Sequence, residues 1–444
     1  MEALKKRRHL SSFQIIFFSF LLGIFAGTIL LMLPFATKGN GSAGIWDALF
    51  TATSALCVTG LAVQDTASYW SGFGQAVILL LIQVGGMGVV TVAAAIALFS
   101  GKKISLMQRG TMQEAMAAPQ MGGIVRLTGF IVKFTLFFEL AGAVMMMPVF
   151  CRDYGIKGVW LAVFHSVSAF CNAGFDLLGT KEHPFVSMTG YSGDLLINLV
   201  LMSLIIVGGI GFFTWADIKE HGIHIRKYRM QSKVIFATTA ALICVPALYF
   251  YFAEFRNAGQ KEAILCSLFQ TVTARTAGFN TADLNVMSGA AKGCMIVLML
   301  IGGAPGSTAG GIKVTTAAVL FANMKAAFMR KNEIHFFGRR IDEKVIRDAA
   351  TILMLDVSMF VLAAMMISST EHLPMGWCLF ETASAVSTTG LSLGITPMLS
   401  HSSELLLTGL MFMGRVGGLT LIYAAVSENG KNLSRLSKEK ITVG

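Results

Sequence analysis

Four stretches of this chain repeat one pattern: LFTATSALCVTGL at 49–61, VFHSVSAFCNAGF at 163–175, LFQTVTARTAGF at 268–279 and LFETASAVSTTGL at 379–391. Each opens on a hydrophobic pair ending in phenylalanine and closes on a glycine followed by a hydrophobic residue. The glycines Gly60, Gly174, Gly278 and Gly390 recur at intervals of 114, 104 and 112 residues. Phenylalanine and glycine are ten residues apart in three copies and nine in the third, which has therefore lost one residue. Self-similarity at that period marks one structural unit used four times. The patterns fall on apolar runs 45–57, 159–171, 263–275 and 375–387, too short to cross a bilayer. Such runs fit re-entrant half-helices that enter and leave on one face.

Longer apolar stretches flank every copy, at 13–35, 74–100, 125–150, 194–217, 232–253, 287–325, 345–368 and 404–427. Each has about the length of a membrane crossing, and the first reads as a transmembrane helix rather than a cleavable leader. Of the 444 residues 55% are hydrophobic and 13% charged, with a mean hydropathy of +0.68. A soluble surface carries roughly twice that charge density, which excludes a string of water-soluble domains. The expected fold is an all-α polytopic membrane protein of four fused membrane–pore–membrane repeats, with eight transmembrane helices and four re-entrant pore helices around a pseudo-fourfold pore. The expected boundaries are a cytoplasmic N-terminus (1–12), repeat 1 (13–100), a loop (101–124), repeat 2 (125–217), a loop (218–231), repeat 3 (232–327), a loop (328–344), repeat 4 (345–427) and a cytoplasmic tail (428–444). A second echo, VGGMG at 84–88, VGGIG at 207–211, IGGAPG at 301–306 and RVGG at 415–418, lies in the second span of each unit. The third of these spans is overlong and broken by GGAPGSTAGG at 302–311, where glycine and proline disfavour a continuous helix.

Lys and Arg exceed Asp and Glu by 11, and 24 of the 35 basic residues cluster at the N-terminus, in segments 101–126, 218–233 and 325–347, and in the tail. The positive-inside rule places these segments, and with an even span count both termini, in the cytoplasm. The excess therefore reports topology in a plasma-membrane protein, and nucleic acid is not an expected partner. Seven cysteines without CxxC spacing indicate neither a disulfide framework nor a zinc site.

A half-helix ending inside a membrane presents the negative end of its dipole and carbonyls without an intrahelical partner. Glycine in the following turn lets successive carbonyls face a common axis. Four such turns would replace the hydration shell of a potassium ion with carbonyl oxygens. The alternative is that these glycines only permit close helix crossings; their repetition in register favours the first reading.

The pattern resembles the Trk/Ktr/HKT superfamily of potassium transporters over about 13–427, and with eight spans it looks most like the bacterial Ktr membrane subunit. The resemblance assigns a potassium selectivity filter to Cys57, Val58, Thr59 and Gly60, to Cys171, Asn172, Ala173 and Gly174, to Arg275, Thr276, Ala277 and Gly278, and to Ser387, Thr388, Thr389 and Gly390. In the family, serine in place of the first filter glycine accompanies sodium selectivity; glycine at all four positions favours potassium. Potassium bound by filter carbonyls is then the transported ion, with sodium a candidate modulator. The broken span becomes an intramembrane gating loop: Gly302, Gly303, Ala304, Pro305, Gly306, Ser307, Thr308, Ala309, Gly310 and Gly311, with Lys313 behind it. Arg415 matches a family arginine near gate and filter, expected to contact the loop and add positive potential; the simpler reading is a packing arginine on a nearby carbonyl. The resemblance also implies a homodimer with one pore per subunit, served by a cytosolic ring of nucleotide-binding regulatory subunits. The basic loops 218–233 and 325–347 are candidate docking surfaces, and no nucleotide motif is present in this chain.

Glu139, Lys133 and Asp356 read equally as ion-path residues or structural charges. His165 and Gln270 are expected to brace the half-helices, and Arg275 to pair with a nearby carboxylate. An intramembrane enzyme would need paired aspartates, an HExxH helix or a Ser/His pair at membrane depth, and the intramembrane acids here are isolated, so no enzyme is expected. A sodium-coupled potassium symporter of the same architecture stays open, since broken helices also occur in transporters.

Overall fold

The computed structural model describes residues 11–39, 41–100, 104–116, 122–331 and 333–417. Nearly all of the expected N-terminal segment, part of loop 101–124, the end of the eighth span and the tail 428–444 lie outside the described residues.

Repeat 1 runs through α1 (Ser12–Leu31), α2 (Ile45–Leu56), the single turn α3 (Thr66–Tyr69), α4 (Gly72–Met87) and α5 (Val89–Phe99). After α6 (Leu106–Ala115), repeat 2 contributes α7 (Ile124–Tyr154), α8 (Lys157–Phe170), α9 (Leu195–Gly209) and α10 (Phe212–His221). Repeat 3 contributes α11 (Met230–Ala253), α12 (Gln260–Thr273), α13 (Gly289–Leu300) and α14 (Val314–Phe328). A small hairpin of β1 (His335–Phe336) and β2 (Arg339–Arg340) precedes repeat 4, which holds α15 (Glu343–Glu371), α16 (Met375–Val386) and α17 (His401–Val416). The half-helices α2, α8, α12 and α16 fall within three residues of their expected bounds. They are buried along most of their lengths, as a helix enclosed by its own unit must be.

The first span of each unit is continuous: α1, α7, α11 and α15 are long and apolar enough to cross a membrane. The expected break in the second span of repeat 3 is present, and the second spans of repeats 1 and 2 are broken as well. α4 turns by 92° into α5, and α9 by 94° into α10. Helix α13 ends after 12 residues and α17 after 16, about 18 and 24 Å at 1.5 Å per residue, short of a core about 30 Å thick.

The glycine echo causes these breaks. Gly88, Gly211 and Gly417 sit at φ of 87°, 94° and 90° just past α4, α9 and α17, a region that side-chain-bearing residues avoid and that cannot continue an α-helix. Three residues earlier, Gly85, Gly208 and Gly414 each press on the last carbonyl of their own half-helix. A Cβ there would lie 2.0, 2.0 and 1.9 Å from the oxygens of Leu56, Phe170 and Val386. This fixes the register of the echo as Gly-x-x-Gly at 85–88, 208–211 and 414–417. Sequence comparison placed the fourth copy on 415–418; the structure shifts it by one, so Arg415 takes the place of Gly86 and Gly209.

Gly85→Ala is therefore expected to cost about 1–3 kcal/mol or more, since overpacking here meets backbone. Gly129→Ala, within α7 and facing open space, is expected to be neutral or stabilising by up to about 1 kcal/mol. Thermal melting of the two variants in detergent checks the contrast.

Candidate functional site

Each half-helix ends in a turn of fixed form. Val58, Asn172, Thr276 and Thr388 adopt φ of 58°, 59°, 67° and 52°, the left-handed region that non-glycine residues rarely enter. One residue intervenes, and then Gly60, Gly174, Gly278 and Gly390 again have positive φ, from 70° to 92°. Strain of this kind persists only where the surroundings over-determine it. Part of that determination is a hydroxyl one turn back on each half-helix. Ser54 Oγ donates to the Leu61 carbonyl and accepts from the Gly60 amide; Ser168 donates to the Phe175 carbonyl. Thr273 donates to the Phe279 carbonyl, and Ser384 accepts from the Gly390 amide.

The one-residue deletion in the third copy is absorbed at the helix end. Thr59, Ala173 and Thr389 donate across five residues to Ser54, Ser168 and Ser384, whereas Ala277 donates across four to Thr273. A widened final turn in repeats 1, 2 and 4 and an ordinary one in repeat 3 bring all four turns to the same place.

The turns close on one another in chain order. A Cβ on Gly60 would lie 2.2 Å from the Ala173 oxygen, on Gly174 2.7 Å from that of Ala277, on Gly278 2.5 Å from that of Thr389, and on Gly390 2.1 Å from that of Thr59. Four units thus meet edge to edge in a ring of backbone, repeat 1 opposite repeat 3 and repeat 2 opposite repeat 4.

On one side the ring opens into a vestibule of about 770 Å³ touched by all four glycines. Its walls carry Asp65, Asp176, Glu182, Glu262 and Asp283 but no lysine or arginine. Burial pushes the Asp176 carboxyl up to about 7; the Leu178 amide opposes that shift and neighbouring Asp65 adds to it. Asp65 binds the Ser68 and Phe185 amides, pinning the segment that follows the second turn to repeat 1.

On the other side lies the segment 302–311. It opens and closes with the parallel bridge between Ile301 and Ile312. Its backbone is bonded to repeat 2: the Ala304 amide donates to Gly209 at 2.9 Å, the Thr308 amide to Gly208 at 3.3 Å, and Gly306 accepts from the Phe212 amide at 2.9 Å. Thr308 Oγ1 donates to the Phe170 carbonyl at 3.0 Å, Ser307 is tied back to Ala304 at 2.6 Å, and Pro305 packs at the Gly211 break. Gly302 lies against Thr276, and Gly310 and Gly311 lie against Thr388 and Ser387; a Cβ on Gly310 would sit 1.9 Å from Thr388 Oγ1. The segment therefore crosses the inner end of the ring and touches three of its four turns.

Arg415 completes this crossing. Its guanidinium donates to the carbonyls of Thr308 in the segment and Gly85 at the end of α4, joining repeat 4 to repeats 1 and 3. The two sequence readings of Arg415 coincide here, because the carbonyl it packs on belongs to the loop. Lys313 donates to the Ala309 carbonyl at 2.8 Å and borders, with Arg415 and Asp356, an inner cavity of about 370 Å³.

Other polar residues sort plainly. Arg275 is buried but finds no carboxylate among the described residues. Its side chain enters a pocket between α9 and α11 where Nη2 reaches Thr239 Oγ1 at 3.5 Å. That corrects the expected ion pair. Glu139 accepts from Gln83 Nε2 at 3.1 Å and faces Cys171 Sγ at 3.7 Å, linking α7, α4 and the second turn. Lys133 lies exposed on α7. Sequence reading passed over the clamping hydroxyls, although every copy has Ser or Thr at that place, and the acids of the vestibule, of which only Asp65 and Asp283 share a repeat position, five residues past Gly60 and Gly278.

A family model described as TrkH, cation transport protein, matches residues 2–435. The potassium/sodium uptake protein NtpJ of Enterococcus hirae is 38% identical over 437 residues, 96% of this chain and 95% of that one. The Ktr system potassium uptake protein B of Bacillus subtilis is 36% identical over 428 residues, covering 95% and 94%. The crystal structure of the potassium transporter TrkH from Vibrio parahaemolyticus superposes with a TM-score of 0.74 at 20% identity, covering 95% of this chain and 86% of that one.

Proposed function

Because the chain belongs to the TrkH family of cation transport proteins, we propose that it takes up potassium as the channel-like, ion-translocating subunit of a regulated system. One observation carries this reading: four turns with left-handed backbone close into a ring between an acidic vestibule and a bonded inner segment. Four half-helices direct the negative ends of their dipoles toward the ring. Carbonyls there replace an ion's water without the tight hold of carboxylates, and segment 302–311 is the gate beneath. Potassium then moves down its gradient, the inside-negative potential contributing about 2.3 kcal/mol per charge per 100 mV.

Relatives named as Ktr system potassium uptake proteins support a membrane subunit that works with regulatory partners. We place two such subunits in a homodimer, both termini in the cytoplasm, with a ring of nucleotide-binding subunits on the basic loops 218–233 and 325–347. A relative named for potassium and sodium uptake keeps sodium coupling as a second reading.

Potassium uptake into liposomes holding the purified protein, with and without sodium, tests both. Uptake without sodium supports the channel-like reading; uptake that requires sodium transfers it to the coupled one; none with either cation overturns both.

The vestibule adds a pH prediction. Asp176, at about 7, is charged above neutrality and loses that charge as the outside is acidified. Uptake at subsaturating potassium is expected to fall severalfold from pH 8 to pH 6, because a cation-focusing charge disappears. Asp176→Asn should flatten the profile at its low level.

A further inference from the structure

The residue after the half-helix phenylalanine differs in every repeat, Thr51, His165, Gln270 and Glu381, yet all four are buried at 2% exposure or less. In repeat 2, His165 Nε2 accepts from the Leu177 amide at 3.2 Å while Nδ1 lies 2.7 Å from the Leu161 carbonyl. An Nε2 that accepts leaves the proton on Nδ1, so the ring is neutral and held in one tautomer. It stacks on Phe150 and touches Phe279, the residue that follows the third glycine. In repeat 4, Glu381 Oε1 accepts from Thr396 Oγ1, while Oε2 has no hydrogen-bond partner; Thr396 in turn bonds Ser392 at 3.3 Å.

Leu177 stands three residues past Gly174, and Thr396 six past Gly390. Two chemically unlike side chains therefore tie the half-helix to the chain just beyond its turn. In the other two repeats the bond is missing: Thr51 Oγ1 and both amide atoms of Gln270 have no hydrogen-bond partner, and neither has Thr281 Oγ1, three residues past Gly278. Because the ring runs in chain order, the two braced repeats face each other across it.

We propose that His165 and Glu381 are positioning residues that hold opposite walls of the ring at potassium width, giving a fourfold backbone path a twofold pattern of rigidity and setting how strongly potassium is preferred over sodium. The inference rests on reading the ring as the ion filter. A carbonyl ring whose width resists relaxing onto the smaller ion prefers the larger one. The brace acts where the chain leaves the ring, and it shares a helix with the hydroxyl clamp that acts within the turn.

The test is the potassium-to-sodium permeability ratio of purified, monodisperse protein in liposomes, measured from reversal potentials. Glu381→Ala and His165→Ala are each expected to lower it about tenfold, the equivalent of one hydrogen bond lost from a shared network. Glu381→Gln keeps an acceptor for the Thr396 hydroxyl and should stay within about twofold of the parent. Gln270→Ala, at the unbonded position, should do the same. Folded Glu381→Ala with the parent's ratio overturns the proposal, as does a loss in Gln270→Ala equal to that in Glu381→Ala. If Glu381→Ala is not recovered folded, His165→Ala carries the test by the same criterion. Gly60→Ser run alongside separates the two levels: a shift there without one in Glu381→Ala sinks the brace alone, and no shift in either sinks the filter reading.

Discussion

Gly60→Ser is expected to lower the potassium-to-sodium permeability ratio by one to two orders of magnitude. Gly60 holds φ at 92°, and the new Cβ would stand 2.2 Å from the Ala173 carbonyl oxygen. That oxygen belongs to the backbone of the neighbouring repeat and cannot swing aside as a flexible side chain would. Either the serine turn leaves its dihedrals or the Ala173 carbonyl rotates off the axis; both disturb the same ring. Strained conformations of this kind cost about 1–3 kcal/mol each, and each 1.4 kcal/mol is tenfold in an equilibrium. The geometry also ranks the four positions. Gly390 and Gly60 meet their neighbours at 2.1 and 2.2 Å, Gly278 at 2.5 Å and Gly174 at 2.7 Å, so serine should be tolerated best at Gly174. Reversal potentials for the four variants check both effect and order. An unchanged ratio in folded Gly60→Ser would remove the filter assignment.

Shortening 304–311, or replacing Arg415 by alanine, is expected to raise potassium flux at least tenfold. The segment is not loose: it is bonded to Gly208, Gly209, Phe170 and Phe212 of repeat 2 and to Arg415 of repeat 4. Hydrogen bonds from a charged donor contribute about 1.5–3 kcal/mol each, and Arg415 makes one to the segment and another to Gly85. Removing the guanidinium releases the Thr308 carbonyl and also takes a positive charge from beneath the ring, where it opposes an arriving cation. Both effects favour passage. Flux measured at matched protein density in liposomes checks this; a folded variant that simply conducts less would show that the segment supports the ring rather than closes it.

Much of this architecture was legible because membrane burial imposes strong patterns. The half-helices announced themselves by length, and their turns by a glycine repeated in register. The second spans misled for a physical reason. Residues 74–100 and 194–217 are predominantly apolar, and hydropathy cannot tell a straight helix from one turned through a right angle. What distinguishes them is φ at Gly88 and Gly211, and a glycine in lipid has several possible uses. Arg275 misled similarly: a buried charge suggested a carboxylate partner, but the side chain lies between α9 and α11 and reaches Thr239 instead.

The sequence by itself determined that the chain crosses a membrane, that it does so as four like units, and which residues form the four turns. Each follows from solvation: lipid demands long apolar runs, and irregular backbone within it demands protein around it. Only the tertiary structure decided how the units meet. The closure of each glycine on the next repeat's carbonyl, the shift of Arg415 into the glycine register, the inner segment laid across three turns and the braces at His165 and Glu381 are contacts between residues distant in sequence or between side chains of unlike chemistry. No local propensity encodes such contacts. They arise because four dipole-bearing half-helices can bury their carbonyl ends together only around a common axis.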